Sequence, residues 1–82
     1  MSEAGQVVLE EIMYVAIDGA REALKASQDD LFEQGRLMAY YDILDVIKEQ
    51  AALLEVKFAD QALADFDPDK EILNAGRKQT AA

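Results

Sequence analysis

The chain has no cysteine, no histidine and no tryptophan, and only one proline and four glycines in 82 residues. Without cysteine there is no disulfide and no thiolate ligand. Without histidine there is no imidazole base or ligand, so the usual zinc sets and Cys- or His-based nucleophilic catalysis are excluded. Basic residues are scarce as well. Eight stand against seventeen acids, for a net charge of -9, and the pI is near 4.2. A phosphate backbone is gripped by concentrated Lys and Arg, so direct nucleic-acid binding is excluded. No apolar run is long and uncharged enough for a membrane span. The opening MSEAGQ lacks the basic and apolar regions of a secretory signal, which makes the cytoplasm the expected compartment.

What remains is rich in apolar residues. The hydrophobic share is 51%, and its mixture with charge suits amphipathic helices rather than disorder. A chain this short forms one domain over 1–82 and hides a smaller fraction of its surface than a larger one. Part of its apolar surface is therefore expected to be covered by a partner or a second copy.

The stretch Leu37 to Ala64, LMAYYDILDVIKEQAALLEVKFADQALA, contains neither proline nor glycine. Leu37, Tyr40, Leu44, Ile47, Ala51, Leu54 and Phe58 recur at alternating steps of three and four, a helical period that aligns them on one side. Met38, Tyr41, Ile43, Val46 and Leu53 spread further around the cylinder. A two-helix hairpin covers one of those sides, and pairing two hairpins covers the rest. Asp42, Asp45, Lys48, Glu49 and Glu55 are left for solvent.

An earlier helical period begins near Gln6. Leu9, Met13, Ala16, Ala20, Leu24 and Leu31 can share a face, opposite Glu11, Tyr14, Asp18, Arg21, Glu22 and Lys25. Val8, Ile12 and Val15 widen the apolar side, and Ala16, Gly19, Ala20 and Ala23 are small enough to admit a close neighbour. Two positions compete for the turn. Ser27 can cap a second helix with Asp30 in its first turn, or Gly35 can end the first helix. The helices then run over about 6–26 and 28–64, or about 6–34 and 36–64. Near the C-terminus Asp67 and Pro68 read as N-cap and first residue of a short third helix over about 68–76, stopped by Gly76. The predicted fold is all-α: an antiparallel hairpin of two long helices plus a short C-terminal helix, assembling into a dimeric four-helix bundle.

The carboxylates offer no strong chemistry. Asp65, Asp67, Asp69 and Glu71 alternate like the start of a calcium loop, but Lys70 stands at the glycine position and Gly76 at the bidentate glutamate. A capped helix start explains them better. The pairs Glu10–Glu11, Asp29–Asp30 and Asp42–Asp45 follow solvent faces, without the cleft that acid–base chemistry requires. The expectation is a protein without enzymatic activity, metal or cofactor.

Tyr40 and Tyr41 point about 100° apart on a helix, so one packs inside with Leu37 and Leu44 while the other reaches a rim or a partner. Arg36 can stack on Tyr40, or pair with Asp29 or Glu33. The candidate interaction residues are thus Arg36, Leu37, Tyr40, Tyr41, Leu44, Ile47, Leu54 and Phe58. The stretch LFEQGRLMAYYDIL resembles the turn region of a tetratricopeptide repeat. Ala39 falls one residue short of the repeat's spacing and the chain has no second copy, so no peptide-binding function carries over. The functional expectation is a small acidic protein-interaction module, an accessory or adaptor subunit that self-associates and favours a partner with a basic surface. Two alternatives are an acidic decoy for the nucleic-acid site of a basic protein, and a purely structural part of a larger assembly.

Overall fold

A computed structural model describes residues 2–74 as a compact all-α domain of two long and two short helices. Helix α1 spans Glu3–Ala26, α2 spans Leu31–Leu53, and α3 is the short Gln61–Asp65. A π-helical turn, Asp69–Leu73, follows.

Local chemistry sets the boundaries of α1. Ser2 caps it by accepting a hydrogen bond from the Gly5 amide at 3.0 Å, with Glu3 in the first turn and Lys25 in the last, both favourable to the helix dipole. The helix therefore begins earlier than Gln6. At its other end the Ser27 hydroxyl donates to the Leu24 carbonyl at 3.0 Å.

Of the two expected turns the one at Ser27 places the end of α1, at Ala26, but not the cap of α2. With Ser27 engaged behind it, the cap of α2 falls to Asp30, whose Oδ1 accepts from the amides of Phe32 at 2.9 Å and Glu33 at 3.3 Å. A carboxylate at that position also meets the positive end of the dipole. Gly35 lies inside α2, exposed and with open space around its Cα. Leu31, expected on the inner face of the first helix, opens α2 and is 83% exposed.

The larger correction concerns the end of α2. Continuous helical periodicity predicts a helix to Ala64, but α2 stops at Leu53. The chain reverses at Glu55, the one non-glycine residue with positive φ among the described residues, at 56°. Val56 N donates to Ala51 O at 2.9 Å and Glu55 N to Ala52 O at 3.3 Å. These are the two bonds of a Schellman cap, which satisfy carbonyls that a continuing helix would have used. Leu54 consequently faces solvent at 70% exposure, away from the core stripe.

After the reversal the chain returns across the hairpin. Asp60 caps α3 by accepting from Ala62 N at 2.8 Å. Asp67 accepts from the amides of Asp69 and Lys70, while Glu71 Oε2 reaches back to Asp67 N. The expected cap at Asp67 is thus present, but the helix it starts takes a π turn in which Asn74 N bonds Asp69 O. The expected stop at Gly76 lies outside the described residues. Met13, Ala16, Ile17 and Ala20 of α1, Leu44 of α2, and Leu63, Phe66 and Ile72 form one core.

Candidate functional site

The hairpin has two broad faces, and one is closed by the chain itself. From α1, Gln6 Nε2 donates to Lys57 O at 2.8 Å, and Glu10 Oε2 accepts from Ala59 N at 2.8 Å. The Tyr14 hydroxyl donates to Asp60, and Arg21 lies 3.9 Å from Glu71. From α2, the Tyr41 hydroxyl donates to Asp69. Lys48 Nζ donates to Leu63 O at 2.9 Å and Ala64 O at 2.7 Å, neutralising the C-terminal end of α3, and sits 5.3 Å over the Phe58 ring. Residues 57–73 therefore strap one side of both helices.

These contacts shift the groups that make them. Glu10 is buried, and the Ala59 amide, then the Gln6 side chain, hold its carboxyl below the usual range. Asp60 is held low by Tyr14 and the Ala62 amide. Tyr14 and Tyr41 are each pushed up to about 12, chiefly by the hydrogen bonds to Asp60 and Asp69 that their neutral forms donate.

The opposite face has no such cover among the described residues. At 3.6 residues per turn, Val8, Ile12 and Val15 fall roughly 150° around α1 from Glu10, Tyr14 and Arg21. Ile43, Val46 and Leu54 fall similarly far around α2 from Tyr41 and Lys48. All six are exposed, from 47% at Ile43 to 70% at Leu54. Phe32 continues the band toward the hairpin turn, and half-buried Tyr40 and Ile47 floor it. On the α1 side the band holds Val8, Ile12, Val15 and Gly19, none charged. On the α2 side its ionic group is Arg36, paired with Glu33 at 2.8 Å and stacked 5.6 Å from the Tyr40 ring.

No family model, curated protein or solved structure matches this chain.

The structure distributes the sequence candidates unevenly. Leu44 is wholly inside the hairpin core, and Leu37, Tyr40, Tyr41, Ile47 and Phe58 are packed partly against it. Tyr40 is the inward tyrosine, lying over Gly19. Tyr41 reaches the strap at Asp69. Arg36 makes two of the contacts expected of it, the pair with Glu33 and the stack on Tyr40. Leu54 alone of the set is fully on the surface. Glu10 and Lys48 had been placed in solvent, yet one is buried and the other ties α2 to α3. Glu10 stands three residues before Met13 and seven before Ile17, a spacing that places it on the core side. Among the described residues no group of three His, Cys, Asp or Glu side chains is arranged to hold a metal ion. No described helix is long and apolar enough to cross a membrane.

Proposed function

We propose that this chain is a small acidic protein-interaction module, an accessory or adaptor subunit that works by burying the open face of its hairpin against another helical surface. The carrying observation is a contrast of charge. A molecule with seventeen acids keeps carboxylates out of one band running along both helices, and fills that band with exposed valine, isoleucine and leucine. Contiguous apolar surface of this kind marks interaction sites, whereas isolated exposed hydrophobics do not. α2 supports the same reading, because apolar residues lie on its outward as well as its inward side, and a helix of that kind is stable when covered twice. Association of two hairpins into a four-helix bundle is the assembly this reading favours.

Replacing Ile12 or Ile43 by lysine tests the docking surface. Both side chains are about half exposed, so stability should move by no more than about 0.5 kcal/mol. At concentrations where the chain is monomeric, binding of an environment-sensitive apolar dye should fall. A variant that unfolds would show the side chain to be core, and would sink the reading.

A further inference from the structure

The reading above favours two hairpins in one bundle and leaves open how they meet. Resting on that reading, we infer that the occupant of the open face is a second copy of this chain, stacked face to face across a two-fold seam with Ile12 and Ile43 near its centre.

Charge decides first between a basic partner and a second copy. A basic surface would be met by carboxylates inside the contact area, and here they stand outside it. Ile12 has Val8, Leu9, Val15 and Ala16 as its neighbours one turn away; Ile43 has Ala39, Tyr40, Val46 and Ile47. None of the eight is charged. Glu11 on α1, and Asp42 and Glu49 on α2, are exposed and flank the band, while Glu22 closes its end one helical repeat beyond Val15. A chain of net charge -9 can meet its own copy only across a surface cleared of acids, and this is such a surface. The ionic group within it, Arg36, is already compensated by Glu33.

Size points the same way. Helices of 24 and 23 residues are about 35 Å long at 1.5 Å per residue. Two of them side by side, each about 10 Å wide, offer a footprint of roughly 700 Å². A stable interface takes about 600–1,000 Å² from each partner. The face is therefore large enough for a whole hairpin, and a single docked helix would leave part of it wet. An isologous contact also requires one patch to serve as both donor and acceptor surface. An uncharged strip of branched aliphatic side chains meets that demand without any complementary feature elsewhere on the molecule.

The experiment is light scattering on the full chain across micromolar concentrations at low and high salt, with Ile43→Glu in parallel and apolar-dye binding on both. The expected result is a mass twice 9.1 kDa, tightening as salt screens the repulsion between like-charged copies. Ile43→Glu should remain helical and dissociate at least about tenfold more readily. A dimer that weakens with salt, or that Ile43→Glu leaves intact, would overturn the seam. A folded monomer at every concentration would overturn the second copy while leaving the docking surface open to another protein. A folded monomer that binds no environment-sensitive apolar dye would overturn both readings.

Discussion

The end of the Tyr40 ring packs against Gly19, so that a Cβ added there would come within 2.8 Å of the ring's Cε2. The absence of a side chain on α1 is what lets α2 approach at this level, and the ring in turn carries the Arg36 guanidinium at 5.6 Å. Gly35 has nothing within 4 Å of the same position. Alanine is favoured over glycine in a helix by about 1 kcal/mol. Gly35→Ala should therefore gain about that amount, whereas Gly19→Ala should gain none of it because the ring must move. Urea denaturation of the two variants should separate them by at least about 1 kcal/mol.

Glu55 holds a left-handed conformation, φ 56°, that costs an L residue roughly 1 kcal/mol and glycine almost nothing. Glu55→Gly should raise stability by about 0.5–1 kcal/mol, and the β-branched Glu55→Val should lower it. Equal melting of all three proteins would show that the Schellman turn is not formed in solution.

Leu63 is 2% exposed although it sits in a five-residue helix, and Leu31 is 83% exposed although it begins a long one. Leu63→Ala should cost about 2–4 kcal/mol, in line with other buried leucines. Leu31→Ala should stay within about 0.5 kcal/mol. Thermal unfolding of the pair measures whether the strap belongs to the core.

The strap's hydrogen bonds predict sensitivity to both extremes of pH. Glu10 and Asp60 have depressed pKa values, so their contribution is present above the unfolded carboxylate pKa and is lost as pH falls through their folded values. Tyr14 and Tyr41 are raised from 10 to about 12. Their contribution is complete below pH 10 and disappears as pH climbs toward 12. Tyrosinate absorbance should show a late-titrating component that diminishes in Tyr14→Phe and again in the double variant with Tyr41→Phe. A single transition near pH 10 for every tyrosine would contradict these bonds.

The long helices were legible because their signals are local and repeated. Met13, Ala16 and Ala20 declare a face by spacing alone, as do Leu37, Leu44 and Ala51 through the part of their stripe that stays helical. The cap at Asp67 was legible for the same reason, since Asp-Pro is a short signal read in place. The break in α2 was not, because residues 54–60 contain no glycine or proline and Leu54 and Phe58 continue the period. The competing force is nonlocal: reversal brings Leu63, Phe66 and Ile72 onto α1, a gain that no window along the chain contains. The candidate site suffered in the same way. Periodicity marks Leu44 and Tyr41 as apolar or aromatic positions on a helix, but it does not say that the hairpin and its strap will use them first. The side chains left over, Ile12 and Ile43 among them, become identifiable only after that internal claim has been met.

The reversal at Glu55 has a consequence for how self-sufficient the molecule is. Had α2 run on to Ala64, eleven more residues would have projected about 16 Å beyond the hairpin. Met13 and Ile17 would then have faced water on the side where the strap now lies. A single backbone torsion thus turns a ribbon with two uncovered sides into a lamina with one among the described residues, and a lamina of that kind has no second side from which to add further copies.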